Sequence, residues 1–288
     1  MPRRPNIVQI TTHDSGRHVG CYGHPTLHTP VIDALAAGGV RMSSYFAAVP
    51  ICSASRVSQL TGLYPQSHGL MDLTGYGWRI RPEVRHMSQW LKAAGYRTAL
   101  IGAQHEVSPG ELTSRLEFDE VLAPGRNAAG AVAAEAARFL AEAAKGSQPF
   151  YAQIGFQETH TPFSHGGARP DTSLGLEIPP YLADTPAARE AMAGYQGAIR
   201  KVDEAVGVIL EAVRANGLEN DTIFVFTTDH GIEMPRSKWY VYDPGIAIAL
   251  IVRYPGGGVV GGRECGHLAS NVDYVPTVLD LAGLEIPG

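Results

Sequence analysis

Three pairs of residues in this chain are of types that could do chemistry together. His13-Asp14 follows the mostly apolar, β-branched run from Asn6 to Thr12, and Asp229-His230 follows a second such run from Thr222 to Thr228. The third pair is Cys52 and Arg56, in Pro50-Ile51-Cys52-Ser53-Ala54-Ser55-Arg56. Their spacing stacks the two side chains on one face of a helix that starts near the cysteine. A helix N-terminus offers unpaired N–H groups and partial positive charge, which suit an oxyanion such as sulfate or phosphate. Arginine adds a planar, permanently charged fork for the same anion. An Asp beside a His just past a buried strand lies where open α/β sheets carry their sites. Each feature alone has a plainer reading, since a free cysteine is usually a buried structural residue and a strand-end Asp commonly caps a turn. All three in one chain favour a metal-assisted anion pocket with a sulfur at its floor.

The same residues resemble a known signature. Cys52-x-Ala54-x-Arg56 followed by Leu60-Thr61-Gly62 is similar to the signature of the type I sulfatases, in which the cysteine is oxidised to formylglycine. That family also opens with a strand ending in acidic metal ligands and a Gly-Cys-Tyr-Gly segment, here Gly20-Cys21-Tyr22-Gly23. Asp229-His230-Gly231 resembles its distal metal pair. Asp184-Thr185-Pro186-Ala187-Ala188-Arg189 before a long helix, then Pro235, Lys238, Tyr242 and Pro244-Gly245, resemble the sulfamidase (heparan N-sulfatase) branch. The resemblance runs from Pro5 to about Gly283 and implies an alkaline-phosphatase-like α/β fold. Relatives continue into a smaller C-terminal subdomain. Residues 1–288 are therefore expected to be the catalytic domain, with that subdomain truncated or absent.

By the same resemblance, His13, Asp14, Cys52, Asp229 and His230 would surround one divalent metal ion, Ca²⁺ in the family. Cys52, converted by a formylglycine-generating enzyme, would supply the nucleophile, and Arg56 would stabilise its hydrated form. His160, in Glu158-Thr159-His160, and Lys238 would bind the sulfate and assist the leaving group. His105 would take a proton from the second hydroxyl of the nucleophile. The substrate would be a small sulfated molecule such as a sulfated sugar. Three positions depart from the pattern. His13 stands where the family has an Asp, which brings Mn²⁺ or Zn²⁺ into consideration because these accept imidazole better than Ca²⁺ does. Ala54 replaces the usual Pro of the signature. Ala103, in Ile101-Gly102-Ala103-Gln104-His105, replaces a lysine. Gln104 is expected to offer a neutral hydrogen bond in its stead, which weakens the hold on a dianion. His24 and His28 are read as loop residues.

Composition fits one α/β unit. The chain has 288 residues, 44% hydrophobic and 18% charged, enough for a single large core. A net charge of −5 carries no basic footprint for nucleic acid. Three cysteines do not make a disulfide framework. No apolar run is long enough for a membrane and no leader-like segment precedes the first strand, so a cytoplasmic protein is expected, a trimmed piece being the alternative.

The elements that must hold these residues alternate in type. Helices are expected from Thr29-Pro30 to Gly38-Gly39, from Val84 to Ala94, from a cap at Asn127 to Ala144, from Ala187 to Asn216 and from Tyr274 to Ala282. Strands are expected at Arg97–Ile101, Tyr151–Phe156, Thr222–Thr228 and Ala247–Arg253. Such alternation implies a mostly parallel sheet between helices. The Pro- and Gly-rich stretch from Thr161 to Pro180 reads as a long loop at the rim of the site. The resulting expectation is a metal-dependent hydrolase of sulfate esters or sulfamates. Its rivals are a phosphodiester or phosphonate monoester hydrolase of the same superfamily and an inactive sulfated-glycan-binding homologue.

Overall fold

A computed structural model describes residues 4–125 and 128–286. Its centre is β1 (Asn6–Thr12), every residue of which is buried, as expected for a strand flanked on both faces. To one side lie β6 (Phe150–Gly155), β4 (Arg97–Gly102) and β5 (Glu120–Leu122); to the other lie β7 (Thr222–Thr228), β8 (Leu250–Arg253), β2 (Val40–Met42) and β9 (Arg263–Cys265). The pairings are parallel except that β8 runs against both β7 and β2. A separate two-stranded sheet joins β3 (Tyr45–Phe46) to β10 (Ala269–Ser270). This is the mostly parallel, helix-covered architecture the alternating elements implied.

Residue alternation along β1 divides the core. Val8 and Ile10 pack into a cluster with Ile199, Val202, Val206 and Ile209 of the long helix Pro186–Ala215, whereas Ile7 faces Val57 and Leu60 of the helix Cys52–Thr61. Burying each such side chain contributes on the order of 1.5–3 kcal/mol. Among the described residues no helix is long and apolar enough to cross a membrane.

Several boundaries differ from the sequence-based expectation. The helix expected from Val84 begins at Met87, because His86 caps it reciprocally with Gln89. The strand expected from Ala247 begins at Leu250. Ala247 instead bridges Phe46, and the Ile248 and Ala249 N–H groups donate to Tyr45 and Gly16 carbonyls. Asn127 lies outside the described residues; the helix Ala129–Ala143 has its first N–H held by the Glu158 carboxylate at 2.8 Å. Of the stretch from Thr161 to Pro180, Thr161 reaches the site, while Asp171 and Gly175 bond to the long helix through Ala193 and Gln196.

Candidate active site

Parallel pairing of β1 with β7 runs in register to Thr12 opposite Thr228. The next two residues of each strand therefore emerge side by side at the carboxyl edge of the sheet, and His13, Asp14, Asp229 and His230 are all fully buried there. The two turns are laced together. The Asp14 N–H donates to Asp229 Oδ1 at 2.9 Å and the Gly16 N–H to the His230 carbonyl at 2.7 Å. Asp14 takes a left-handed φ of 40°, a strained conformation of the kind that persists where surrounding structure fixes a functional residue. At Gly231 a Cβ would fall 1.8 Å from the Pro244 carbonyl oxygen, so glycine is required for the chain to turn behind His230.

The helix Cys52–Thr61 points its N-terminus into this cluster. Extended Ile51 precedes Cys52, no side chain caps the helix start, and Gly62 closes its far end at φ 71°. Cys52 Sγ lies 3.1 Å from His230 Nε2 and 3.8 Å from Asp14 Oδ1. One turn on, Arg56 is buried with Nε donating to Asp229 Oδ2 at 3.0 Å and a terminal nitrogen donating to the Thr12 carbonyl. The guanidinium expected to reach for the anion thus serves a carboxylate first, because a buried cation must satisfy its donors. Ser55 donates to the Asp229 carbonyl at 2.5 Å, and the Asn271 amide holds Ser55 in turn.

The residues present fit a metal ion. One nitrogen or oxygen or sulfur from each of His13, Asp14, Cys52 and Asp229 lies within 4.8 Å of the others. Both ring nitrogens of His13 are buried without a hydrogen-bond partner, which is costly unless something coordinates there. Burial, then the nearby Arg56 charge, pushes His13 well below the ordinary histidine range and leaves it a neutral donor. Asp229 is held an anion: burial opposes this, but His230 and Arg56 outweigh it. Burial also opposes protonation of His230, yet Asp229, Cys52 and Asp14 hold it up to about 10. A cation among these carboxylates would remove the cause of that rise. His13→Ala is expected to lower Mn²⁺ and Zn²⁺ affinity roughly 10–100-fold while affecting Ca²⁺ less. Equal affinities for all three ions in the variant and the parent would take His13 out of the coordination shell.

The remaining candidates close a cavity of about 510 Å³, whose wall includes Cys52, Ser53, Thr74, Gln104, His105, His160, Glu233, Lys238 and Trp239. Lys238 is buried with Nζ 2.8 Å from Asp14 Oδ2 and 3.3 Å from Glu233 Oε2. Burial disfavours its charge, but Asp14 outweighs burial and keeps it protonated. His160 sits on the loop after β6, where Glu158 caps a helix and Thr159 donates to the His13 carbonyl. Its Nε2 lies 3.9 Å from Asp14 Oδ2, and its ring stands edge-on to His13 with centroids 5.5 Å apart. His105 stands edge-on to His13 at 4.5 Å and is pushed down to about 3 by burial and then by Arg56, so it is neutral.

The structure thus brings Cys52, His13, Asp14, Asp229, His230, His105, His160 and Lys238 together, with Arg56 directly behind. Gln104 lines the cavity with its amide turned into its own loop. It donates to the Val107 carbonyl and accepts from the Glu106 and Val107 N–H groups. His24 lies outside the cavity wall, stacked on His18 at 4.7 Å. Two carboxylates escaped the sequence reading. Glu106 is wholly buried, accepts from the His105 N–H and Gln153, and is raised by burial despite Arg56. Glu233 lies between two matched motif positions, where an acidic loop residue carries no spacing signal.

Comparison with known proteins bears on this geometry. A family model described as Sulfatase matches residues 5–284. The chain is 29% identical to N-sulphoglucosamine sulphohydrolase of Homo sapiens, over 99% of this chain and 62% of that protein. It is 28% identical to arylsulfatase A of Homo sapiens, over 99% and 65%. The chain therefore spans somewhat under two thirds of these curated relatives. Among solved structures, a phosphonate monoester hydrolase of Agrobacterium radiobacter superposes with a TM-score of 0.77 at 22% identity, over 98% of this chain and 74% of that one. A protein solved with its substrate D-glucosamine-2-N,6-O-disulfate superposes with a TM-score of 0.79 at 20% identity, over 99% and 78%. These two likenesses concern the fold.

Proposed function

Because this chain belongs to the sulfatase family, we propose that its buried site hydrolyses sulfate esters or sulfamates, with Cys52 acting after oxidation to formylglycine. The observation that carries this reading is Cys52 at a helix start on the cavity wall, its Sγ 3.1 Å from His230 Nε2 and 3.8 Å from Asp14 Oδ1. His13, Asp14 and Asp229 would hold one divalent cation, with His230 Nε2 beside them. The mixed nitrogen and oxygen set admits Mn²⁺ or Zn²⁺ as well as the family's Ca²⁺. Such an ion supplies Lewis acidity, making a bound hydroxyl more acidic and polarising a sulfate oxygen. The converted cysteine supplies an attacking oxygen.

The chain's own residues do the rest. Arg56 keeps Asp229 ionised and fixes its orientation through Nε. Lys238 and His160 stand on the cavity side of Asp14, where they can bind sulfate oxygens and give a proton to the departing alcohol or amine. His105, also on the cavity wall and unprotonated, would be the proton acceptor for the second hydroxyl, although burial and Arg56 make it a weak base. The name of one relative, N-sulphoglucosamine sulphohydrolase, supports a sulfated sugar as the substrate class.

The test is chemical. Coexpressed with a formylglycine-generating enzyme, the protein should yield a Cys52 peptide that is lighter than the thiol form and reacts with hydrazides. It should turn over an aryl sulfate or N-sulfoglucosamine, and Cys52→Ala should abolish both properties. Full activity with an unmodified thiol at Cys52 would discard the proposed nucleophile.

A further inference from the structure

Glu233 is a carboxylate in a cavity built to receive an anion. It forms part of the wall that also contains Cys52, and its side chain is one third exposed. Its Oε2 accepts from Thr161 Oγ1 at 2.5 Å, lies 3.3 Å from Lys238 Nζ and 3.8 Å from His160 Nδ1. Burial opposes its ionisation, but the Thr161 hydrogen bond and the Lys238 charge hold it below the usual carboxylate range. Glu233 is not fully neutralised by this pairing, because Lys238 is closer to Asp14 and is shared between the two. Among the described residues of the cavity wall, Lys238 is the one ammonium or guanidinium. Ala103 contributes no charge, and the Gln104 amide is committed to its own loop.

We propose that Glu233 makes this pocket selective for singly charged tetrahedral groups, and that it rejects doubly charged ones such as phosphate monoesters. The proposal rests on the hydrolase reading above and adds a charge rule to it. Sulfate esters, sulfamates and phosphodiesters carry one negative charge near pH 8. A phosphate monoester carries close to two, its second pKa being about 6. The second charge gains little from a lysine already divided between two carboxylates and meets Glu233 directly. Coulomb repulsion at this range, discounted for partial exposure and the existing ion pair, corresponds to discrimination of roughly tenfold. The rule concerns charge and not the identity of the central atom, so a phosphodiester should escape it.

Glu233→Gln keeps the shape and the Thr161 acceptor while removing the charge. In metal-loaded protein at pH 8, three substrates separate the readings: p-nitrophenyl sulfate, bis(p-nitrophenyl) phosphate and p-nitrophenyl phosphate. The phosphate monoester should gain roughly tenfold in kcat/KM relative to the sulfate, with the diester-to-sulfate ratio unchanged within about twofold. Equal changes for all three would show that Glu233 only positions Lys238 and His160, and would overturn the charge rule. Calorimetry with two small ions keeps the test independent of turnover. Inorganic sulfate, a dianion, should gain affinity over sulfamate, a monoanion of similar size, in both Glu233→Gln and Glu233→Ala. If no ester is turned over but that shift occurs, the hydrolase reading fails and the charge rule stands. An unchanged sulfate-to-sulfamate ratio, or no binding of either ion, overturns the rule itself.

Discussion

Asp229→Asn is expected to empty the site of its cation and reduce turnover below detection. Four contacts converge on this carboxylate. Oδ1 accepts the Asp14 and His230 N–H groups at 2.9 and 2.8 Å, Oδ2 accepts Arg56 Nε at 3.0 Å, and His13 Nδ1 lies 3.6 Å from Oδ2. The asparagine keeps the shape and one acceptor but supplies no charge, so metal affinity should fall most. Asp229→Ala goes further, because it strands a buried guanidinium and two N–H groups. Removing one partner of a buried ion pair costs about 3–5 kcal/mol, so this variant should also unfold at markedly lower urea concentration. Metal content by mass spectrometry, kinetics and urea melts read the three consequences separately. One equivalent of tightly held metal in Asp229→Asn, with turnover within tenfold of the parent, would remove Asp229 from the coordination sphere.

The second large effect belongs to Lys238. Its Nζ touches Asp14 on one side and Glu233 on the other, and no other lysine or arginine lies in the described cavity wall. Lys238→Ala should therefore lower kcat by about 10²–10³, the usual consequence of deleting one preorganised donor from a transition-state site. The loss should depend on the leaving group. An aryl sulfate departs with little protonation, whereas a sugar sulfate or sulfamate needs a proton, so the sugar substrates should suffer more. His160→Ala should follow the same pattern. A rise in KM with unchanged kcat would instead mean that Lys238 holds the substrate equally in the ground and transition states. Parent-like kinetics on both substrate types would remove it from the site altogether.

Much of this site was legible because its residues follow elements with strong local patterns. β1 and β7 are fully buried, β-branched and mostly apolar runs, and His13-Asp14 and Asp229-His230 follow them, so strand ends located the candidate ligands. Cys52 opens a helix whose Gly62 stop is plain in sequence. What stayed hidden depends on contacts between distant segments. Nothing near Ala129 reveals that Glu158 of the β6 loop caps its helix. The three hydrogen bonds that Gln104 makes within its own loop are likewise not encoded in spacing. Ala247–Ala249 is apolar enough for a strand, but its N–H groups go to Asp243, Tyr45 and Gly16. Glu233 and Glu106 were missed because a single carboxylate in a loop has no periodicity. Their significance came from burial and from the cations they face.

The seam between β1 and β7 also bears on how the molecule comes into being. Asp14 and Asp229 meet across a separation of 215 residues, and their strands are paired along their full length. Closing so long a loop is an entropic cost met before any contact within it is rewarded, which places this pairing among the slow events of folding. A nascent chain that has not yet presented Thr228 has one half of the seam and only part of the candidate ligand set. Its Asp14, Arg56 and His13 stay in water, where ionised groups incur no burial penalty. Assembly of the pocket and closure of the central sheet are then one event, and a cation captured there would fasten together segments from opposite ends of the sequence.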